Sequence, residues 1–575
     1  MKLRRFHVQN FKSLKDFELD VDGFLVLIGP NNAGKSNLFY ALDLFLSSTV
    51  RGIDDVSFSD FDRKRPIVIQ ATLDELSQDE LAKLRPWTDR GVLTVRKEYT
   101  SDESGKIAAE YCATMPLPKE PWLRDDFEDY KNSDIVRNLP IGEFIPGSGR
   151  ITKEIYAKAI EDFKARYPER ITYQVEMRRN PAGFKQVLDG YMPEFHFMPA
   201  VRDVTEETKT QASALLGKLM NLVIARVATQ NPSFQQLQKA LREVERIIEG
   251  NGGVSKLAEV AELERSLEQA LAIWDVKVDI NVKAPDVQRV FELGTKVNVF
   301  DGLATDISDK GHGLQRSLIF ALLRVWAGQS RQVGETTAPV RQRSNIFAFE
   351  EPELFLHPQV ARATYEALRE LGRTDQVMIA THSPHFVNME DYLNVAMIRK
   401  TSQERGSEAV RTPTDLFGAD SDSRKHFNLI KFCNPDRNEM FFARKVVLVE
   451  GQTEKSVLPL LARRLELFDH AVTIVNCEGK TSIILCMRVL NAFKIPYLAA
   501  YDKDDQPSLN EAIERAVEKD IGESFCVDPC FEVVAGVPQP AASKRSKPFA
   551  AVEYFNNPEV ALSPALEELV RRAYR

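Results

Sequence analysis

The segment GFLVLIGPNNAGKSNLFYALDLFL, residues 23–46, constrains the fold of this chain more than any other. Its apolar stretch from Phe24 to Ile28 stands directly before the loop GPNNAGKS, residues 29–36, and apolar residues at helical spacing follow the loop. A strand, a glycine loop and a helix in this order are the context of a phosphate-binding P-loop. The sequence therefore predicts an α/β domain with a nucleotide site.

The residue types of the loop suit a nucleotide that carries Mg²⁺. Glycines let backbone N–H groups approach the phosphates, and the N-terminus of the following helix favours negative charge. Lys35 can reach the β- and γ-phosphates, and the hydroxyl of Ser36 can ligate Mg²⁺. The predicted nucleotide-binding residues of the loop are Gly29, Asn32, Gly34, Lys35, Ser36 and Asn37.

Two apolar stretches further along end on residues that a P-loop ATPase needs. The first, Ile346 to Phe349, ends on Glu350 and Glu351. One acid at such a strand end holds Mg²⁺ through water and its neighbour orients the attacking water, roles that we assign to Glu350 and Glu351 in that order. The second, in QVMIATHSPHF, leads to His382, which could sense the γ-phosphate. Alone it would more often be a structural loop histidine, but its place after a P-loop and an acidic strand favours the functional interpretation.

A glycine-bearing loop, SDKGHGLQR, runs into a long apolar helix between these motifs. Its residues Ser308, Gly311 and Gly313 could present backbone donors and a helix dipole to a phosphate. A glycine-rich helix entry is common, so the loop gains its meaning from its order in the chain: phosphate loop, insertion, glycine loop, acidic strand, histidine strand.

These motifs resemble those of the ABC-type ATPases related to RecF and the SMC proteins. GPNNAGKSN, SDKGHGLQR, FAFEEPELFLHP and ATHSPHF look like the Walker A, signature, Walker B with D-loop, and H-loop motifs. The resemblance implies ATP held between two heads, and hence a homodimer. The signature reads GHGLQ where a transporter has LSGGQ, and Glu350 stands where Asp is usual, so both departures point away from transporters. For the Q-loop, Gln70 and the region around Arg202 are weak candidates.

Between the halves of this ATPase, residues 61–111 alternate polar and apolar side chains, which predicts an antiparallel sheet. From residue 204 to 274 the apolar residues recur at helical spacing in three runs. One interpretation is a helical lobe that packs on its own head. The other is a dimerisation arm, which the ATPase family places here.

A second acidic site is predicted near the C-terminus. The apolar stretch VVLV ends on Glu450, and Glu454 opens the following amphipathic helix. A later stretch, IPYLAAYDKDD, ends on Asp502 and Asp504. Strand residues two apart project to the same face, so these two acids could share one ion. Hard divalent cations prefer such oxygen clusters, and a pair of them can hydrolyse a phosphodiester.

The order of Glu-Gly, glycine turn and Asp-x-Asp resembles the Toprim fold. An ABC head followed by Toprim resembles the OLD (overcoming lysogenization defect) nucleases, and the Gabija-type defence nucleases share this layout. The resemblance implies that Glu450 is catalytic and that Lys547 neutralises charge in the transition state, although Lys544, Arg545 and Lys547 could simply contact backbone phosphates. The metal ligands that it implies are Glu450, Glu454, Asp502, Asp504 and Glu532. For Glu454, the alternative is an acid that stabilises the helix N-terminus.

The predicted fold is thus an α/β ABC-type ATPase head with an inserted helical region, followed by a Toprim domain. The domain boundaries are 1–203 and 276–425 for the head, 204–275 for the insertion and 426–575 for Toprim. The resemblance implies an ATP-hydrolysing DNA endonuclease that uses Mg²⁺ or Mn²⁺ at both sites, in phage defence or DNA processing, with a possible helicase-like partner. In some relatives, nucleotide restrains the nuclease. The alternative function is a non-cleaving, RecF- or SMC-like repair ATPase whose Toprim domain is structural.

Composition sets the remaining limits. A formal charge of -8 argues against a generally basic nucleic-acid coat, although a local basic groove can exist on an acidic protein. No apolar run approaches the length of a membrane span, and the N-terminus lacks the continuous apolar segment of a secretory signal. Six scattered cysteines indicate reduced thiols. These features predict a cytoplasmic protein without a membrane partner.

Overall fold

The structure is a computed structural model of the chain of 575 residues. It describes residues 1–50, 52–102, 105–124, 130, 133–200, 232–249, 257–270, 298–300, 302, 304–306, 310–311, 313–314, 317–321, 344–402, 404–412, 414–417, 435–538 and 547–575. The chain divides into two compact units. The first comprises Met1–Phe197, Pro339–Glu351 and Asp375–Arg575, and the second comprises Met198–Ala338 and Pro352–Thr374.

Strands and helices are numbered along the chain. The strands are β1 Lys2–Phe11, β2 Leu14–Asp20, β3 Phe24–Ile28, β4 Ile67–Asp74, β5 Thr88–Asp89, β6 Val92–Ser101, β7 Ile107–Pro118, β8 Tyr173–Arg179, β9 Glu194–Met198, β10 Asn298–Phe300, β11 Ala304–Asp306, β12 Asn345–Glu350, β13 Gln376–Ala380, β14 Val395–Ser402, β15 Gly406–Val410, β16 Lys445–Val449, β17 Val472–Asn476, β18 Tyr497–Asp502 and β19 Gly522–Val527. The helices are α1 Lys35–Leu46, α2 Gln78–Leu84, α3 Ser133–Arg137, α4 Lys153–Arg166, α5 Phe184–Tyr191, α6 Pro232–Glu249, α7 Ala258–Ala270, α8 Pro358–Leu371, α9 Gln452–Arg464, α10 Lys480–Ala492, α11 Pro507–Ala516, α12 Phe531–Val534, α13 Lys547–Phe555 and α14 Pro564–Tyr574.

The first unit opens with an antiparallel sheet of order β2-β1-β4-β6-β7-β8, with β5 paired to β6. Along β4 buried and half-buried residues alternate, as in a sheet with one face on the core. Its neighbour β6 runs antiparallel, with Gln70 opposite Arg96. The antiparallel sheet predicted for residues 61–111 is therefore confirmed.

A second sheet, of order β15-β14-β3-β13-β12-β9, carries the P-loop motifs. Strands β12, β13, β3 and β14 run parallel. The carboxyl ends of β3, β12 and β13 therefore lie at one edge of the sheet. At that edge β3 leads into the P-loop, β12 ends at the acids, and β13 leads to His382. All five residues of β3 are buried, which explains its uninterrupted apolar sequence. The predicted strands before Gly29, Glu350 and Thr381 are confirmed.

The third sheet of this unit is fully parallel, with the order β17-β16-β18-β19. After β16 the chain first adds β17 on one side and then crosses to add β18 on the other. The strand order therefore reverses between β16 and β18. Ligands of open α/β sheets bind beyond the carboxyl ends of the strands at such a reversal, which is where Glu450 and Asp502 stand.

In the second unit, the described elements include α6, α7, α8 and the β10–β11 pair. Helices α6 and α7 confirm helical structure within two of the three runs predicted between residues 204 and 274. The first run, SALLGKLMNLVIARV, lies outside the described residues, as does Arg202. Across the described parts of both units, no helix is long and apolar enough to cross a membrane.

Candidate active sites

The P-loop glycines lie where a side chain has no room. A Cβ atom added to Gly29 would be 2.0 Å from the backbone oxygen of Ile398 in β14. Gly34 has a φ of 108°, and its Cβ would be 2.5 Å from the hydroxyl of Ser407. Asn37, in the first turn of α1, donates to the Ser13 hydroxyl at 2.9 Å. The loop is thus held by β14 and β15 as well as by its own strand.

Lys35, the first residue of α1, is buried and faces the loop that it belongs to. Its Nζ donates to the backbone oxygens of Gly29 at 2.8 Å and Pro30 at 3.0 Å, and lies 2.8 Å from Nε2 of His382. Because an ammonium group only donates, Nε2 of His382 is the acceptor in this arrangement. The structure therefore brings the predicted phosphate-binding lysine and the predicted γ-phosphate sensor together.

The two predicted Mg²⁺ ligands of the ATPase also meet. The hydroxyl of Ser36 donates to Oε1 of Glu350, which is buried at the end of β12. Glu351 follows with a φ of 45°, and its backbone N–H donates to the oxygen of Ala380 at 2.7 Å. This bond fixes the acidic strand end beside the strand that leads to His382.

The predicted signature residues Gly311 and Gly313 lie in the second unit. The third, Ser308, is outside the described residues. Gly311 accepts a bond from the N–H of Leu314 at 3.0 Å, and a Cβ on Gly313 would be 2.8 Å from the backbone oxygen of Phe355. The Q-loop candidate Gln70 lies on β4, where its side-chain oxygen accepts two bonds from Arg96 at 3.1 and 3.0 Å. That pairing gives Gln70 a structural role in the antiparallel sheet.

Glu450 and Asp502 are linked at the carboxyl edge of the Toprim sheet. Oε1 of Glu450 accepts the backbone N–H of Asp502 at 2.7 Å, and Oδ1 of Asp502 accepts the N–H of Phe531 at 2.8 Å. Burial raises the pKa of both carboxyl groups above their usual values. Carboxyl groups in this environment favour a bound cation, which compensates their buried charge.

The sequence analysis did not single out Lys480, the first residue of α10. Its side chain is 1% exposed, and its Nζ forms an ion pair with Asp504 and lies 3.8 Å from Oε1 of Glu450. Gly479 precedes it with a φ of 121°. The available signal was this Gly-Lys pair in the turn after β17, at the same sheet edge as the acids.

Glu454, in the first turn of α9, is buried at the same edge. Burial raises the pKa of its carboxyl group to about 7. Its Oε2 lies 3.0 Å from the point that a Cβ on Gly451 would occupy. Glu532 lies in the first turn of α12. Nζ of Lys547 is 3.5 Å from its Oε1, and the lysine side chain is 59% exposed. Lys544 and Arg545 lie outside the described residues.

The donor chemistry of this edge suits a hard divalent cation, because all five candidate ligands are carboxylates. Their oxygens do not yet converge: within the described part of the chain, no group of three or more His, Cys, Asp or Glu side chains is placed to hold a metal ion. Asp502 and Asp504 have different partners, Phe531 and Lys480. The reason is that β18 ends at Asp502, so the two-residue period of a strand does not extend to Asp504.

The raised pKa of Glu454 predicts a pH dependence of the metal-free protein. A folded-state pKa of about 7, above the usual 4.5, means that the folded protein holds a proton that the unfolded chain releases. This contribution to stability is full below pH 4.5 and is lost as the pH rises to about 7. We expect the thermal midpoint to fall over that window in wild type, and to fall less in Glu454→Gln. The exposed Glu511→Gln serves as control, and equal slopes in all three proteins would contradict the assignment.

A short segment connects the P-loop sheet to the Toprim sheet within the first unit. The side-chain amide of Asn438 donates to the backbone oxygens of Pro384 at 3.2 Å and Val387 at 2.8 Å, just after His382. Its neighbour Arg437 is buried and donates to the backbone oxygen of Asn476, at the end of β17, at 3.1 Å. Two adjacent residues thus contact both sheets.

Comparison with known families assigns two regions of the chain. A family model described as AAA ATPase domain matches residues 1–387. A second, described as overcoming lysogenization defect protein-like, TOPRIM domain, matches residues 441–504. These matches cover the P-loop motifs and the acidic edge formed by β16 and β18.

Similar proteins extend over most of the chain. The Old nuclease of Escherichia phage P2 is 24% identical over 508 residues, covering 86% of this chain and 76% of that protein. The OLD nuclease of Thermus scotoductus is 23% identical over 604 residues, covering 98% and 96%. Endonuclease GajA of Bacillus cereus is 21% identical over 518 residues, covering 84% and 74%. A solved SMC head bound to the C-winged helix domain of ScpA aligns at 13% identity with a TM-score of 0.33, too low to support an argument.

Proposed function

This chain belongs to the AAA ATPase domain family, and from that premise we propose that it is an ATP-hydrolysing, metal-dependent DNA endonuclease of the OLD type. The observation that carries the proposal is the acidic edge of the Toprim sheet. A simple ATPase has no use for a group of carboxyl side chains, among them the buried Glu454, at the strand reversal of a sheet separate from its P-loop. Relatives that cover both regions are named nucleases.

The ATPase residues have distinct roles in this proposal. Lys35 binds the β- and γ-phosphates, and Ser36 with Glu350 would hold Mg²⁺. Glu351 orients the attacking water, while His382 contacts the γ-phosphate. Binding of nucleotide exchanges the contacts of Lys35 with Gly29, Pro30 and His382 for phosphate oxygens. The remaining proposed ligands of the nucleotide are Gly29, Asn32, Gly34, Asn37, Ser308, Gly311 and Gly313.

In the Toprim domain, the carboxylates of this edge would hold the divalent cations: Glu450, Glu454, Asp502, Asp504 and Glu532. Bound Mg²⁺ or Mn²⁺ supplies an activated water and stabilises the leaving oxygen of the phosphodiester. Lys547 is exposed and carries a positive charge next to Glu532, so it is free to turn toward a phosphate.

Supercoiled plasmid tests the proposal directly. Incubation with Mg²⁺ or Mn²⁺ is expected to give nicked or linear DNA, and a coupled phosphate assay is expected to detect ATP hydrolysis. Running both assays with and without ATP shows whether nucleotide promotes or restrains cleavage. No cleavage by folded protein at any metal concentration would remove the nuclease and leave a non-cleaving ATPase.

We further propose that the protein is a homodimer whose arm includes α6. Leu237 and Val244 are seven residues apart, on one face of α6, and are 39% and 52% exposed. Changing both to Glu is expected to weaken dimerisation by about tenfold or more, because two desolvated apolar side chains would become charged. Sedimentation equilibrium measures the change, with Gln236→Glu and Lys239→Glu together as a control on the same helix. An unchanged dimer constant would exclude this face as the contact.

Other features of the proposal follow from the family resemblance. DNA is the substrate, and a helicase-like protein is a possible partner. We place the protein in the cytoplasm, which its free cysteine thiols support: those described are Cys112, Cys477, Cys486, Cys526 and Cys530. A role in phage defence is proposed from the likeness to GajA and the Old nuclease, and the identity of neighbouring genes would test it.

A further inference from the structure

Lys480 is a buried cation whose position its own helix does not explain. It is the first residue of α10, where the helix dipole disfavours positive charge. Its side chain is 1% exposed, and a buried ammonium group is tolerated only when paired. Its ion-pair partners are the carboxylates of Asp504 and Glu450. The lysine is therefore held by the acidic edge and not by the helix.

The ammonium group and a metal ion compete for the same carboxylates. A divalent cation must come within about 2.0–2.6 Å of its carboxylate oxygens. Nζ of Lys480 already lies in hydrogen-bonding contact with Oδ1 of Asp504 and 3.8 Å from Oε1 of Glu450. A cation that bridges Asp504 and Glu450 would take this space, and the Lys480–Asp504 ion pair would have to open.

On the other half of the edge, the charge of Lys480 acts on Asp502 without forming an ion pair with it. Glu454 and Asp502 accept only backbone N–H groups among their described partners. Glu532 pairs with Lys547, whose side chain is 59% exposed and can turn into water at little cost. The two halves of the edge therefore differ in how readily a cation can enter.

We propose that Lys480 gates the second of two divalent cations at the Toprim edge by competing with it for Asp504. The first cation enters on the side of Glu454 and Asp502, and the second binds only when the Lys480–Asp504 pair opens. This inference rests on the proposed function for its metals. It makes Lys480 a positioning residue, acting through Asp504 and Glu450.

Binding of Mn²⁺, followed by electron paramagnetic resonance, tests the gate without any need for cleavage. Proteins are titrated without nucleotide in a Ser36→Ala background, so that the P-loop contributes little. In this background, the protein that keeps Lys480 is expected to bind two Mn²⁺ ions at the Toprim edge, one more weakly than the other. Lys480→Met is expected to tighten the weaker step by about tenfold or more, because it removes the competing charge. Lys480→Arg keeps that charge and is expected to keep the weak step.

Lys503→Met is the matched control. It removes the same charge one residue from Asp504, but Nζ of Lys503 pairs at 2.6 Å with Asp528, which is not one of the five proposed metal ligands. We expect its two Mn²⁺ affinities to match those of the Ser36→Ala protein without a further substitution. Thermal melting without metal checks folding, and Lys480→Gln replaces Lys480→Met if the latter is unstable.

The gate is overturned if Lys480→Met leaves the weaker step unchanged or weakens it, or if Lys480→Arg behaves like Lys480→Met. The plasmid assay separates this result from the proposed function. Two-step Mn²⁺ binding that Lys480→Met tightens, without DNA cleavage, would keep the gate and reject the nuclease. Cleavage without that tightening would keep the nuclease and reject the gate.

Discussion

Replacing Glu450 by alanine is expected to abolish DNA cleavage and to leave ATP hydrolysis nearly intact. Glu450 accepts the N–H of Asp502 and lies near Lys480, so it joins both halves of the acidic edge. Loss of residues that only support metal ligands already costs about 10–100-fold, and loss of a direct ligand should cost at least about 100-fold. The P-loop belongs to another sheet, so its residues keep their contacts.

Cleavage of supercoiled plasmid and release of phosphate from ATP measure the two activities side by side. Glu511→Ala, an exposed substitution on α11, controls for nonspecific effects of removing a carboxylate. Equal loss of both activities in Glu450→Ala would contradict the two-site arrangement. Full cleavage activity in Glu450→Ala would contradict it as well, because the acidic edge would then not be the nuclease active site.

The second large effect is expected for Lys35→Ala, which should remove nucleotide binding and with it ATP hydrolysis. Nζ of Lys35 is buried at the centre of the loop, within 3.0 Å of two backbone oxygens and of His382. A neutral side chain leaves the phosphates without their main positive charge, so hydrolysis should fall by on the order of 100-fold or more. Binding of a fluorescent ATP analogue separates a loss of affinity from a loss of turnover.

Lys64→Ala, at an exposed position between the loop and β4, is a suitable control for Lys35→Ala. Normal hydrolysis by Lys35→Ala would show that the nucleotide site is elsewhere. Cleavage of plasmid without nucleotide is expected to survive this substitution, because the acids of the Toprim edge stand on a sheet separate from that of the P-loop.

The parts that the sequence predicts correctly are those that local pattern determines. The strand before Gly29 and the helix after it match the observed β3 and α1, since an apolar run and a glycine loop leave few alternatives. The meeting of Ser36 with Glu350 was predictable because parallel strands of a P-loop sheet end at one edge. The pairing of His382 with Lys35 followed in the same way.

The parts that the sequence does not reveal depend on contacts between distant residues. A Gly-Lys pair after a strand is common, so only the tertiary structure shows that Lys480 reaches Asp504. The strand period placed Asp502 and Asp504 on one face, but the strand ends at the first of them. Gln70 was a Q-loop candidate because of its residue type, and its partner Arg96 becomes visible only through strand pairing.

The contacts of Asn438 have a consequence for anyone who wishes to produce the ATPase as a separate fragment. A cut at the predicted boundary between residues 425 and 426 would remove Asn438, and with it both hydrogen bonds to the segment that follows His382. The backbone oxygens of Pro384 and Val387 would then be left to solvent. A minimal ATPase fragment should therefore extend through the turn at Pro435–Phe441. In a shorter fragment the segment that follows His382 lacks these two hydrogen bonds, so its kinetic constants would differ from those of the whole protein.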